Sequence, residues 1–315
     1  MRAPLIACLA LACASTRTTS SAADPSRDFD VFSSGVRLPV HSVGGGSPDA
    51  RTLIALHGGP GFVADYLRVL EPLASRSLRV VIYDQRGSPR VDSQLLRNDP
   101  VDPSPYAPAK LSADLLAVMD AIGARRAILL ANSWGGLTVQ AFAQDHPDRI
   151  ASLIFVGSVP PTSETLQRGG RSRNERVKQL QATGILPAQL PTREQDCEGS
   201  LRARALTMVA DPRNPPPELL AFLKRGCPGQ KDAGPAYPAT GYDYRAALAG
   251  LEVPALVMVG DSDPLVVAAD ETEHALLRAR VRRVTLANCG HFPFWEQPES
   301  FFSELRAFLR TAGTE

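Results

Sequence analysis

Stretches typical of buried strands alternate with stretches of helical periodicity along most of this chain, and this alternation constrains the fold more than any other feature. Four apolar runs in the first half are predicted strands: residues 52–56, 78–83, 127–130 and 150–156. Three intervening stretches have helical periodicity: residues 63–73, 112–122 and 134–146. The runs are apolar on both faces, as in parallel strands covered by helices on each side. We therefore predict an α/β protein with a mostly parallel sheet flanked by helices.

The regular pattern is interrupted once and then resumes. A short hairpin is predicted over residues 27–41, and the later pattern consists of strands at 255–259 and 283–286, a helix within 266–279 and a final helix at 298–312. Between them, residues 159–251 hold Arg-rich helical pieces at 175–182, 198–210 and 217–225. The apolar positions of these pieces favour a packed, mainly helical cap over the carboxyl ends of the strands. The predicted division is a core of residues 28–158 and 252–315 with a cap of residues 159–251.

A serine lies where one of the predicted strands meets the following helix. Residues 131–135 read Ala-Asn-Ser-Trp-Gly. A serine on such a strand–turn–helix junction is lifted clear of the sheet, and the helix directs its N-terminal amides at the reacting site. The usual pattern has glycine where this chain has Ala131, which is also small. The junction predicts that Ser133 is a nucleophile.

A serine nucleophile needs a histidine base and an acid that orients the base. Of the five histidines, only His291 follows a late strand, at the sheet edge where α/β proteins bind ligands. The acid is expected between serine and histidine, where Asp261 and Asp263 follow a strand. Asp263 is preferred because Pro264 holds it in an extended conformation, which leaves Asp261 as a turn-forming residue.

The glycine-rich loop after the first core strand suits an oxyanion hole. Residues 57–61 read His-Gly-Gly-Pro-Gly, so backbone amides can approach a developing negative charge without side-chain bulk. We expect the amides of Gly59 and Trp134 to be the two donors. Cys289, two residues before His291, is predicted to be a small packed thiol rather than a nucleophile.

Three motifs together resemble the prolyl aminopeptidase (proline iminopeptidase) branch of the α/β-hydrolase superfamily: the His-Gly-Gly-Pro-Gly loop, Asp-Gln-Arg-Gly-Ser at 84–88 and Asn-Ser-Trp-Gly-Gly at 132–136. The resemblance implies serine acyl transfer, release of an N-terminal residue that is commonly proline, and no metal or cofactor. It also implies that Arg86 braces the active site.

The predicted cap departs from that branch. Family members hold the substrate's free amine with cap glutamates, often near a tryptophan-rich segment, but Trp134 and Trp295 both lie outside the cap here. The glutamates available to hold an amine are Glu164, Glu175, Glu194, Glu198 and Glu218, and nothing in the sequence selects one. A carboxylesterase or amidase acting on small esters or amides is therefore kept as an alternative, and a non-catalytic binding protein as a third.

Charge and the N-terminus bear on partners and location. With 34 basic and 33 acidic residues, the chain offers no electrostatic case for nucleic acid, so a small-molecule or peptide substrate is expected. Residues 1–23 read as a secretory signal, cleaved after Ala12, Ala14 or Ala23. Residues 10–13 also resemble the lipobox of bacterial lipoproteins, whose cysteine is acylated. Export would place Cys197 and Cys227 where a disulfide between them is stable.

Overall fold

The computed structural model describes residues 26–91, 106–232 and 241–312. The predicted signal segment, residues 1–23, lies outside the described residues. The described part of the chain forms one eight-stranded sheet with strands β1 (Arg27–Ser33), β2 (Val36–Val43), β3 (Arg51–Leu56), β4 (Leu78–Tyr83), β5 (Ala127–Asn132), β6 (Ile150–Val156), β7 (Pro254–Gly260) and β8 (Arg280–Leu286). The spatial order is β1-β2-β4-β3-β5-β6-β7-β8. Only β1–β2 and β2–β4 pair antiparallel, so the mostly parallel α/β sheet is confirmed.

The helices, numbered in chain order, are α1 (Ala64–Leu73, a 3₁₀ helix), α2 (Pro108–Ala121), α3 (Gly135–Asp145), α4 (Ser163–Ala182), α5 (Cys197–Leu206), α6 (Pro217–Asp232), α7 (Arg245–Ala249), α8 (Val266–Ala275), α9 (Pro293–Glu296) and α10 (Pro298–Thr311). A 3₁₀ turn, Pro147–Arg149, precedes β6. Helices α2, α3 and α8 supply apolar side chains to the core on one face of the sheet. Helices α1 and α10 do so on the other face.

Helix α4 and strand β8 begin several residues earlier than their sequence patterns indicate. Helix α4 begins at Ser163, where the Thr162 side chain accepts a hydrogen bond from the Thr165 amide as an N-cap. Its first half has few apolar residues, so its helical period was not apparent in the sequence. Strand β8 begins at Arg280 rather than at residue 283, because it is an edge strand and carries exposed arginines that mask its alternation.

Helices α4 to α7 lie between β6 and β7, in the stretch predicted to be a cap. Leu201 of α5 and Phe222 of α6 are buried in the same apolar cluster as α1 and α10, so these helices pack against the rest of the molecule. Cys197 and Cys227 form a disulfide that joins α5 to α6. Among the described residues, no helix has both the length and the apolar character needed to cross a bilayer.

Candidate active site

The turn after β5 holds Ser133 in a left-handed backbone conformation, with φ of 52°. Such a φ is uncommon for a residue other than glycine and marks the strained turn of a nucleophile elbow. The turn requires glycine around it. A Cβ on Gly135 would lie 2.4 Å from the Leu56 carbonyl oxygen, and one on Gly58 would lie 2.7 Å from the Ser133 Cβ. Ala131 is fully buried and fits the place of the usual first glycine.

His291 and Asp263 meet beside this turn. The His291 Nδ1 lies 2.8 Å from the Asp263 Oδ2, and each residue is only 2% exposed. Asp263 is held in turn, because its Oδ1 accepts a 2.9 Å hydrogen bond from the Leu265 amide. The other ring nitrogen, His291 Nε2, is buried and makes no hydrogen bond within the described residues. A ring fixed at Nδ1 and available at Nε2 is the arrangement a general base requires.

Gly157, at the end of β6, makes room for this pair. Its φ is +52°, and a Cβ there would lie 2.9 Å from the Asp263 Oδ2 and 3.0 Å from the His291 Nδ1. The sequence offered only an isolated glycine after a strand as a sign of this role.

The second aspartate after β7 has a different task. Asp261 accepts hydrogen bonds from the amides of Asn288 and Cys289 at 3.0 and 3.2 Å, and thereby ties the β7 turn to the loop before His291. It is thus the turn-stabilising residue that the sequence predicted. Cys289 is fully buried, and burial raises the pKa of its thiol, so the packed-thiol prediction is confirmed.

Tyr66 of α1, which no sequence motif marks, joins the glycine-rich loop after β3 to the serine turn. The Tyr66 hydroxyl accepts a 2.6 Å hydrogen bond from the Gly58 amide and donates one of 2.6 Å to the Asn132 Oδ1. Gly59 has φ of 145°, and Trp134 is the residue before the first turn of α3. The two expected oxyanion donors therefore belong to loops that Tyr66 joins.

Buried polar contacts hold His57 at the start of this loop and Arg86 in the segment after β4. The backbone amide of Gln85 donates to the His57 Nε2 at 2.9 Å, and the His57 Nδ1 lies 2.7 Å from the Gly58 carbonyl oxygen. A ring that accepts at Nε2 is neutral, and burial lowers the pKa of His57 in agreement with this. Arg86 forms a fully buried pair with Asp114, its Nε 2.7 Å from the Asp114 Oδ2, as expected of a brace.

Glu296 links the histidine loop to the segment after α5. Its Oε2 accepts hydrogen bonds from the Ala210 and Gly290 amides at 2.8 and 2.9 Å, and its Oε1 accepts one from the Phe292 amide at 3.0 Å. The His291 amide itself donates to the Met208 carbonyl at 2.7 Å. The backbone on both sides of His291 is therefore held by one carboxylate that also holds the segment after α5.

Two cavities are lined in part by Ser133. The larger, of about 280 Å³, also touches Trp134, α4, α5 and the loop before α5. The smaller, of about 40 Å³, contains His291 and the aromatic side chains Phe62, Tyr66, Phe222 and Phe292. Ser133, Gly59, Arg204 and Met208 line both cavities. The smaller cavity next to Ser133 is thus mainly apolar, and it is the one that His291 lines.

Arginines define the larger cavity. Arg173 of α4, Arg193 of the loop before α5 and Arg204 of α5 line it, and no Asp or Glu of the described chain does so. Burial and the charges of Arg173 and Arg193 lower the pKa of Arg204 to about 9, so it stays charged at neutral pH. Burial also lowers the pKa of Arg173. The Arg-rich composition of these helices was the sequence signal, but it did not show which arginines face the serine.

The glutamates considered as amine partners lie elsewhere. Glu175 and Glu198 are exposed and pair with Lys178 and Lys224, and none of the five glutamates considered above is among the described residues lining either cavity. Among the described residues, no group of three or more His, Cys, Asp or Glu side chains could hold a metal ion.

Known proteins share this architecture. The chain is 27% identical over 296 residues to a 2-hydroxy-6-oxononadienedioate/2-hydroxy-6-oxononatrienedioate hydrolase of Burkholderia vietnamiensis, covering 90% of this chain and 96% of that protein. It is 28% identical to a proline iminopeptidase of Lactobacillus delbrueckii subsp. lactis, covering 84% and 92%. The structure of an esterase from Rhodococcus sp. superposes with a TM-score of 0.71 at 22% identity, covering 91% and 99%.

These relatives carry different activities on similar chains, so they agree on the fold and on hydrolysis rather than on a substrate. Residues 51–298 match the protein family described as alpha/beta hydrolase fold, which spans the serine turn, both aspartates and the histidine loop. The chain belongs to this family.

Proposed function

We propose that the protein is a serine hydrolase that works by acyl transfer. Ser133 Oγ attacks the carbonyl carbon of the substrate, and His291 Nε2 takes the serine proton and gives it to the leaving group. Asp263 fixes the histidine tautomer, and the amides of Gly59 and Trp134 stabilise the oxyanion. Water then cleaves the acyl-enzyme with the same histidine as base. The observation that carries this proposal is the strained φ of Ser133 beside a buried Asp263–His291 pair, in which the His291 Nε2 makes no hydrogen bond within the described residues.

Esters or amides without a free amine are the better-supported substrates. A protonated N-terminus would need an acidic partner, and the larger cavity is lined by three arginines and no described carboxylate. The predicted prolyl aminopeptidase activity remains a second candidate, because relatives such as the Lactobacillus protein are named proline iminopeptidases.

A labelling experiment tests the chemistry, and a substrate comparison tests the class. A fluorophosphonate probe should label the wild type at Ser133 and should fail to label S133A, which should also lose turnover. Labelling that persists in S133A would contradict the mechanism. Turnover of short-acid p-nitrophenyl esters without turnover of proline-naphthylamide would favour the esterase, whereas the reverse pattern would favour the aminopeptidase.

We also propose that the protein is exported. The Cys197–Cys227 disulfide supports this, because such bonds persist in oxidising compartments. Mass spectrometry of the mature N-terminus tests the proposal and distinguishes a soluble from an acylated form; an intact, unprocessed Met1 would contradict it.

A further inference from the structure

Three arginines from separate parts of the cap converge on one cavity next to Ser133. Arg173 comes from α4, Arg204 from α5, and Arg193 from the loop between these helices. Within the described residues, the Arg173 and Arg204 guanidinium groups form no ion pair, and the charged groups that act on them are other arginines of the cluster. The cavity is therefore strongly positive on its cap side.

Such a cluster costs stability unless something compensates for it. Like charges repel more strongly when they are partly withdrawn from water, and these three arginines are half-buried. An anion in the cavity would supply the missing counter-charge for Arg173 and Arg204, because a guanidinium binds a carboxylate through paired N–H donors. The cluster is thus explained by a negatively charged ligand group.

The position of His291 indicates which half of a substrate carries that charge. His291 lines only the small apolar cavity, whereas the arginines 173 and 193 line only the larger one. Because the histidine must protonate the departing oxygen or nitrogen, the leaving group lies on its side of Ser133. The acyl chain then extends into the arginine-lined cavity.

Resting on the proposed serine hydrolase function, we propose that this enzyme acts on esters or amides whose acyl chain ends in a carboxylate, with half-esters of short dicarboxylic acids as the simplest case. Arg173, Arg193 and Arg204 bind the distal carboxylate. A small alcohol departs through the apolar cavity, whose roughly 40 Å³ suits methanol or ethanol.

The chemistry balances without any redox partner. The Ser133 Oγ forms a bond to the acyl carbon, the bond from that carbon to the alcohol oxygen breaks, and the serine proton passes through His291 to the alcohol. Water then adds to the acyl-enzyme, its proton returns to Ser133 through His291, and the dicarboxylate is released while the arginines still hold its far end.

A matched pair of covalent probes tests the proposal. Two fluorophosphonates with the same alkyl chain are compared, one ending in a carboxylate and the other in a neutral carboxamide, and the second-order rate of Ser133 labelling is measured by mass spectrometry. We expect the carboxylate probe to react at least about tenfold faster with the wild type, since two or more charged hydrogen bonds are gained. R204M and R173M should bring the ratio of the two rates towards one.

R202M is the matched control, because Arg202 is an exposed arginine of the same helix as Arg204. It should keep the wild-type ratio. Equal labelling of the wild type by both probes, or faster labelling by the carboxamide, would overturn the anionic acyl site. A ratio that survives both pocket substitutions would equally overturn the role of these arginines. If neither probe labels Ser133, the serine mechanism itself fails, so the two failures are distinguishable. The wild-type ratio is decisive even if a variant does not fold.

Discussion

The loops around Ser133 and the predicted cap differ in whether their charged side chains have partners within the described residues. In the loops, the charged side chains have specific partners: Asp263 pairs with His291, Asp261 accepts from two amides, and Arg86 pairs with Asp114. In the cap, Arg173 and Arg204 face the cavity beside other arginines. The loops are pre-organised for chemistry at the expense of backbone strain, whereas the cap keeps its charges for a ligand. Function therefore costs backbone strain in the loops and charge repulsion in the predicted cap.

The largest effect is expected when the hydrogen bond between Asp263 and His291 is disrupted. D263N should lower kcat by about 10⁴-fold, because an amide at this position favours the wrong histidine tautomer. Steady-state kinetics with the preferred ester would measure it. D261N is the control: it loosens the turn and should lower the free energy of unfolding by about 1 kcal/mol, with a far smaller loss of turnover. Similar losses of kcat in the two variants would contradict the distinct roles assigned to these aspartates.

A methyl group at Gly157 would disturb the Asp263–His291 pair by steric contact. G157A should reduce kcat by about 100-fold, since the added Cβ would displace Asp263 or His291 from positions only 2.9 and 3.0 Å away. G123A separates strain from displacement, because Gly123 has φ of +69° and open space around it. That control should lose about 1 kcal/mol of stability and keep its turnover. Unchanged kcat in G157A would show that the pair tolerates a shift.

Removing one hydroxyl tests how the glycine-rich loop is held. Y66F leaves the buried Gly58 amide and the Asn132 Oδ1 without their shared partner, so the free energy of unfolding should fall by about 1–3 kcal/mol. Chemical denaturation would measure it. Tyr242 is the matched control: its hydroxyl is buried and makes no hydrogen bond within the described residues. Y242F should be neutral or stabilising, and an equal loss in both variants would argue against the Tyr66 network.

The neutral His57 next to the glycine-rich loop makes the free energy of unfolding depend on pH. Burial lowers the pKa of His57 in the folded protein, so below the usual histidine pKa the unfolded chain binds a proton that the folded one refuses. Its contribution is fully present above about pH 6.5 and is lost on acidification, by up to about 1.4 kcal/mol per pH unit. H57Q should flatten this part of the stability profile. The same substitution at the exposed His274 is the control.

The smallest effect has the opposite sign and belongs to the cap. R204M should raise the free energy of unfolding by about 1 kcal/mol, since it removes a poorly solvated charge from a like-charged cluster and keeps the bulk of the side chain. R202M should change stability by less, because that arginine is exposed. A clear loss of stability in R204M would mean that the cap arginines are structural after all.

The sequence predicted the loops well and the cap poorly, for a physical reason. Ser133, Asp263 and His291 each follow a strand of one parallel sheet, so strand order alone brings them to one edge. The arginines are placed by how α4 and α5 pack on the core, and local patterns do not encode such packing. The roles of Tyr66 and Gly157 could not be predicted for a related reason: they depend on contacts between elements that are distant in the sequence.

Glu296 connects the two regions through hydrogen bonds to both of them. Its carboxylate and the Met208 carbonyl together hold the backbone at Gly290, His291 and Phe292 to the segment after α5. Lifting that segment to admit a substrate or release a product must break these bonds and release the histidine loop at the same moment. The position of the catalytic base therefore depends on the segment after α5 staying where it is.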